Sequence, residues 1–264
     1  MSVGKTTKTR LDVALVERGL AQSRAQAQAI IMAGDVLVNG AASLHASTAV
    51  RPNDQIELKA KPRFVSRGGE KLAEALEAFR IDASGSVCAD LGASTGGFTD
   101  CLLQAGTAKV YAIDVGHGQL DDRLRRDERV ISMERVNARH LEELPEPVSI
   151  AVIDISFISL KLILPVARRL LREGGVCVPL IKPQFEAGKG QVGKGGVVRD
   201  PEIHRAVLQD ILEFAAEHGF SVEGLIASPI LGPAGNREFL AHLVKWPSGS
   251  VSLEPLIEKV LTIA

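Results

Sequence analysis

Val87-Cys88-Ala89-Asp90-Leu91-Gly92-Ala93-Ser94-Thr95-Gly96-Gly97-Phe98-Thr99 starts as an apolar run, meets an acid, turns on glycine and continues into a helix-like segment. Glycine at the turn lets the backbone come close to a ligand and reach φ angles closed to other residues. A second apolar run, Val110-Tyr111-Ala112-Ile113, follows and ends in Asp114. A strand, a glycine-rich turn, a helix and an acid about 20 residues further on is how α/β sheets hold an adenine nucleoside. Asp90, Gly92, Ala93, Ser94, Thr95, Gly96, Gly97 and Phe98, with Asp114, are therefore the candidate ligand contacts. The bland alternative is a turn that is only a turn and an acid that caps a loop.

Outward from this stretch, strand-like runs lie at 86–91, 109–113, 130–133, 148–153 and 175–181, with helical stretches between the longer ones. Leu72, Leu76 and Phe79 give a helix ahead of the first. This alternation predicts a parallel, doubly wound sheet whose ligands sit at the carboxyl ends of the strands. The last two runs, 220–227 and 239–246, are joined by a glycine/proline loop and should pair antiparallel, with the final strand reversed. A mixed seven-stranded sheet with one reversed strand near its edge fits a class I (Rossmann-like) methyltransferase better than a dinucleotide dehydrogenase. The turn also lacks the G-x-G-x-x-G spacing that brings backbone to a pyrophosphate. Gly188–Gly195 nearly matches a P-loop but has glycine where the Mg²⁺-binding hydroxyl belongs, and it reads instead as a glycine-rich lid. With S-adenosylmethionine as the working ligand, the turn meets its methionine part and Asp114 its ribose hydroxyls. Asn137, after the third strand, is placed for the adenine edge.

The chain has 264 residues and a formal net charge of −1, which hides an asymmetry. Residues 1–67 carry ten Lys or Arg against five Asp or Glu, a net of +5; the remainder carries twenty-one against twenty-seven, a net of −6. A small basic module on an acidic body points to a polyanionic partner. Cys88, Cys101 and Cys177 read as buried, reduced thiols. The start of the chain lacks the apolar stretch of a leader, and no run reaches the ~18 apolar residues of a membrane span. The expectation is a cytoplasmic monomer.

Residues 1–58 form the small module. Leu11, Ala14 and Leu15 share a helix face, Ser23 is placed to cap a second helix, and Asn39-Gly40 signals a hairpin. Residues 59–67 read as a basic linker and 68–264 as the large domain. Through Arg10-Leu11-Asp12, Ser23-Arg24-Ala25-Gln26-Ala27 and Gly34-Asp35-Val36-Leu37-Val38-Asn39-Gly40, the module resembles the small α+β S4 RNA-binding domain. The resemblance implies RNA contacts at Arg10, Arg18 and Arg24. The linker positions Lys59, Lys61, Arg63 and Arg67 extend the basic surface.

Polar residues also stand at element ends in the large domain. Asp154 closes one strand, Lys182 closes the next, Glu238 opens the reversed one, and Lys71 lies on the helix before the first. These four can converge at one sheet edge. Their Lys-Asp-Lys-Glu order resembles the FtsJ-type ribose 2′-O-methyltransferases. The whole chain resembles the TlyA family, bacterial rRNA cytidine 2′-O-methyltransferases often named hemolysins. Val65-Ser66-Arg67-Gly68-Gly69-Glu70-Lys71-Leu72, Asp154-Ile155-Ser156-Phe157-Ile158-Ser159, Ile181-Lys182-Pro183-Gln184-Phe185-Glu186 and Gly235-Asn236-Arg237-Glu238 carry that likeness. It implies S-adenosylmethionine as donor, ribosomal RNA or a ribosomal subunit as partner, Lys182 as base, and no metal. A membrane-active cytolysin and a non-catalytic RNA-binding assembly factor stay open as other functions.

Overall fold

A computed structural model describes residues 8–59, 62–188, 190–246 and 252–262, and the chain divides into two compact units, Met1–Pro62 and Arg63–Ala264. The first contains β1 (Thr9–Arg10), α1 (Leu11–Glu17), α2 (Arg24–Met32), β2 (Val36–Val38), β3 (Ala41–Ala42), β4 (Ala49–Val50) and β5 (Ile56–Leu58). Ser23 Oγ accepts from Gln26 N at 3.2 Å and caps α2 as its sequence position predicts. Asn39-Gly40 turns β2 onto β3, and β5 pairs on the other side of β2. Leu11, Leu15, Ala27, Ile31 and Val36 are fully buried and make this unit's core. The short ladder between β1 and β4 had no signal in the sequence, because two-residue strands carry no readable period.

The second unit begins earlier than expected. Phe64 is buried against Gly69, where an added Cβ would come within 2.2 Å of the ring. Val65 N donates to Asp100 Oδ2 at 2.8 Å. Residues 63–67 thus pack as part of the large unit rather than as linker, and Lys61 lies outside the described residues.

The large unit runs α3 (Gly68–Ala78), β6 (Val87–Leu91), α4 (Gly97–Gln104), β7 (Lys109–Asp114), α5 (Asp122–Arg125), β8 (Val130–Glu134) and β9 (Val148–Ile153). It continues through α6 (Leu164–Leu170), β10 (Leu171–Ile181), α7 (Pro183–Glu186), α8 (Pro201–Glu217), β11 (Phe220–Ala227), β12 (Phe239–Lys245) and α9 (Glu254–Thr262). The sheet order is β11-β12-β10-β9-β6-β7-β8. All pairs are parallel except those of β12, which runs antiparallel to both β10 and β11. This is the mixed seven-stranded class I methyltransferase sheet, with the reversed strand one place in from the edge. The order switches direction between β6 and β9, and such a switch leaves a crevice beyond the carboxyl ends of the strands.

The strands are apolar on both faces because both faces are covered. Ala89, Leu91, Tyr111, Ile113, Ala151, Ile153, Cys177 and Ile181 enter one core, with Leu208 and Leu212 of α8. Their alternating neighbours Cys88, Val110, Ala112, Ile150, Val152, Val178 and Leu180 enter the other, with Leu72 of α3 and Leu102 of α4. α8 is amphipathic, burying His204, Val207, Leu208, Ile211, Leu212 and Ala215, and Asp200 caps it by accepting from Glu202 N at 2.9 Å. The three cysteines are free and buried, and burial pushes the Cys88 and Cys101 thiols up to about 12.

Ile153 is fully buried at the switch and next to Asp154. Ile153→Ala is expected to lower unfolding stability by about 2–5 kcal/mol, the range for large-to-small changes in a packed core. Urea melts checked by fluorescence and circular dichroism measure it; a loss below about 1 kcal/mol would mean the site collapses without a cavity.

Candidate active site

Strand register brings the candidate residues to one edge. Leu91 pairs with Ile153, and Ile153 with Pro179, so Gly92, Asp154 and Lys182 leave the sheet close together. Ile181 pairs with Phe239 across the antiparallel ladder, which sets Glu238 beside Lys182 even though it precedes its strand. α3 adds Lys71. All four line one cavity of about 700 Å³, together with the turn residues Gly92, Ala93, Ser94, Thr95, Gly97 and Phe98.

The four charges resolve into two ion pairs. Lys71 Nζ meets Glu238 Oε2, and both side chains are buried. Gln184 Nε2 donates to the other Glu238 oxygen at 3.3 Å. Lys182 Nζ meets Asp154 Oδ1 at 2.5 Å and donates to Ile155 O at 2.8 Å and to Ser156 Oγ at 3.0 Å. Lys182 is thus held by one carboxylate and two hydrogen-bond acceptors. Glu186 steadies the loop that supplies two of them: it accepts from Ser159 Oγ at 2.6 Å and from Leu160 N at 2.8 Å. Burial raises the Glu186 carboxyl above its ordinary range despite those bonds.

A smaller cavity of about 370 Å³ shares Gly92, Ser94, Asp154, Ser156 and Phe157 with the first. Asp114 and Asn137 line it with Val115, Val136, Ile158 and Ile163. Asp114 is already engaged, accepting from Ser94 N at 2.8 Å and Gly116 N at 2.6 Å. Each carboxylate oxygen keeps a second lone pair for a hydroxyl. Asn137 Oδ1 caps the following turn by accepting from Arg139 N at 3.1 Å, so its cap role and its place at the cavity coexist.

At Gly92 φ is +94°, and a Cβ would lie 2.6 Å from the Asp154 carbonyl oxygen, so only glycine allows the turn to pass here. Asp90 and Gly96, unlike the other turn residues, line neither cavity. Asp90 is fully buried behind the turn, where Thr99 Oγ1 donates to its Oδ2 at 2.7 Å and, among the described residues, its Oδ1 has no partner. Burial, more than the neighbouring Asp154 charge, pushes this carboxyl up to about 7.

These connected cavities fit S-adenosylmethionine. An apolar slot with a polar edge suits a purine, Asp114 suits vicinal hydroxyls, and the glycine turn lets an aliphatic tail lie against backbone. Asp154 supplies negative charge beside a sulfonium.

The basic positions fare unevenly. Asp12 is buried and holds two exposed guanidiniums, Arg10 at 2.9 Å and Arg24 at 2.9 Å. Gln28 Nε2 donates to the same carboxylate at 2.9 Å. Arg10, followed by Gln28, holds Asp12 well below the usual carboxylate range. Arg18 spends its guanidinium inside the module, on the carbonyls of Asp54, Arg51 and Pro52 at 2.6 to 3.1 Å. Lys59 is exposed. Arg63 stacks over Phe64 at 4.7 Å. Arg67 lines the larger cavity and donates to Leu231 O at 3.0 Å, so it belongs to the active edge rather than to a linker.

Two family models match the chain: an S4 domain over residues 9–56 and an FtsJ-like methyltransferase over residues 64–245. Over 257 residues the chain is 44% identical to the 16S/23S rRNA (cytidine-2′-O)-methyltransferase TlyA of Mycobacterium tuberculosis, covering 96% of each protein. It is 43% identical over 241 residues to Hemolysin A of Brachyspira hyodysenteriae, covering 89% of this chain and 99% of that one. A solved structure from Streptococcus thermophilus, provisionally named a hemolysin, has 45% identity and a TM-score of 0.76, over 98% of this chain and 96% of its own.

The buried acid gives a pH test. With a folded value of about 7 against an ordinary 3.8, the folded protein keeps a proton that the unfolded chain has released. Its burial therefore costs most above that value, and stability attributable to Asp90 declines as pH rises from about 4 to about 7. Asp90→Asn removes that decline, so its advantage over the wild type is expected to be larger at pH 8 than at pH 5 in paired urea melts. An equal difference at both pH values would mean that Asp90 is ionised throughout.

Proposed function

The chain belongs to the TlyA family, with an FtsJ-like methyltransferase domain behind an S4 domain, and on that premise we propose that it methylates the ribose 2′-hydroxyl of cytidine in 16S or 23S ribosomal RNA, or both, from S-adenosylmethionine. The observation that carries the reading is the meeting of the Lys71–Glu238 and Lys182–Asp154 pairs in the cavity that adjoins the glycine turn. The substrate class follows the named relatives, and the basic S4 unit supports an RNA partner. The protein works as a cytoplasmic monomer on rRNA or a ribosomal subunit. Among the described residues no helix is long and apolar enough to cross a membrane.

S-adenosylmethionine, when bound, supplies an electrophilic methyl group on a positively charged sulfur. The ribose 2′-hydroxyl must lose its proton as its oxygen forms the new bond to carbon and the carbon–sulfur bond breaks. Lys182, as the neutral amine, accepts that proton. The acceptors around it, Asp154, Ile155 O and Ser156 Oγ, then hold the ammonium that results and draw the proton transfer forward. Lys71, fixed by Glu238, orients the hydroxyl oxygen. The remaining rate comes from alignment of the acceptor with the methyl group.

Lys182→Ala is expected to lower kcat by about 10²–10⁴-fold, the usual contribution of a general base, while calorimetry finds donor affinity nearly unchanged. Full methyl transfer by that variant would remove Lys182 from the role. Replacing Arg24, one of the two arginines on Asp12, should weaken rRNA binding and reduce the slope of log affinity against log salt by about 1. An unchanged slope would leave Arg24 as a strut of the module alone.

A further inference from the structure

The larger cavity has a wall that the donor does not account for. Gly195, Gly196, Leu231, Pro233 and Asn236 line it, and none of them lines the smaller cavity with Asp114 and Asn137. Two separate loops build this wall, one before α8 and one between β11 and β12. These five residues are uncharged, and the second of their loops lies against Glu238, where a Cβ added at Gly232 would meet the carboxylate.

A single buried side chain joins those loops. Asn236 is 2% exposed. Its Nδ2 donates to Gly196 O at 2.8 Å and its Oδ1 accepts from Val198 N at 2.9 Å. Its own carbonyl accepts from Gly232 N at 2.9 Å. The carboxamide thus spends both ends on the first loop while its backbone fixes the second. Farther along the same rim, Arg67 donates to Leu231 O at 3.0 Å and ties the wall to the start of α3. At Gly196 φ is +75° and nothing lies within 4 Å of an added Cβ, so the path of the loop, not a lack of room, calls for glycine.

We propose that Asn236 is a positioning residue for the acceptor, holding the Gly193–Val198 loop as the wall against which the ribose of the target nucleotide is seated facing Lys71 and Lys182. The inference rests on the methyl-transfer reading above and adds where the acceptor side of that site lies. Glycine backbone and aliphatic side chains suit the face of a sugar. Asn236 stands two residues before Glu238, so a rival role is to hold Glu238 alone. The two roles separate in kinetics. A wall residue changes acceptor KM, whereas a prop for Glu238 changes kcat.

The test uses the full chain with rRNA that the wild type methylates, and measures donor affinity by calorimetry alongside KM and kcat. For Asn236→Ala the expected result is a KM for rRNA raised about tenfold, with kcat and donor affinity within about twofold of wild type. Asn236→Asp keeps the acceptor for Val198 N but cannot donate to Gly196 O, and it should fall between. Gly196→Ala strains the loop without filling space and should raise KM in the same direction. If Asn236→Ala melts early, the other two variants decide. Unchanged KM in the folded variants, a loss confined to kcat, or a parallel loss of donor affinity would each overturn the inference. A wild type that binds donor yet methylates no rRNA would overturn the reading of the acceptor, and this inference with it. Normal methylation with unchanged variant KM would overturn this inference alone.

Discussion

A buried ammonium is tolerable only where a carboxylate meets it, and the carboxyl edge of this sheet satisfies that constraint twice within one cavity. Desolvating such a pair costs several kcal/mol before any attraction is counted. Well-packed apolar residues would hold the fold at least as well, so the pairs are better explained by chemistry than by stability. They also dictate much of their surroundings. β12 must run backwards to bring Glu238 to the same edge as Lys182, and α3 must close over the sheet to deliver Lys71. The loop after β9 must turn so that Ile155 O and Ser156 Oγ face inwards.

Much of this was legible in the residues. Apolar runs of strand length, broken by helical spacing, identified a sheet covered on both faces, and alternate residues do enter opposite cores. A glycine/proline loop with no helix between the last two runs signalled the antiparallel pair. Because side chains at strand ends have few places to go, Asp154, Lys182 and Glu238 could be set at one edge before their contacts were known. Gly92 was legible for a similar reason, since its backbone path admits no other residue.

What the residues concealed were contacts that depend on loop paths. Ser156, Gln184 and Asn236 sit inside recognisable motifs, but no period or cap signal says what a loop side chain will touch. Asp90 looked like a ligand contact, yet the turn folds over it and leaves it in the protein interior. Arg18 looked like a hand for phosphate, whereas local carbonyls satisfy it first. Arg67 was counted with a linker because basic composition does not reveal that Phe64 packs under Gly69. In each case the deciding fact was a neighbour distant in sequence.

The place of β12 has a consequence for synthesis. It lies between β10 and β11 in the sheet but follows both in the chain. As the nascent chain emerges, β10 has one side paired with β9 and the other open, while β11 has no partner of its own. An open, apolar strand edge is a template for pairing with other chains. The S4 unit, made first, can fold while that edge is still waiting. Glu238 and the strand that covers this edge arrive together, so β10 loses its open side at the same moment as the chain completes its set of charges.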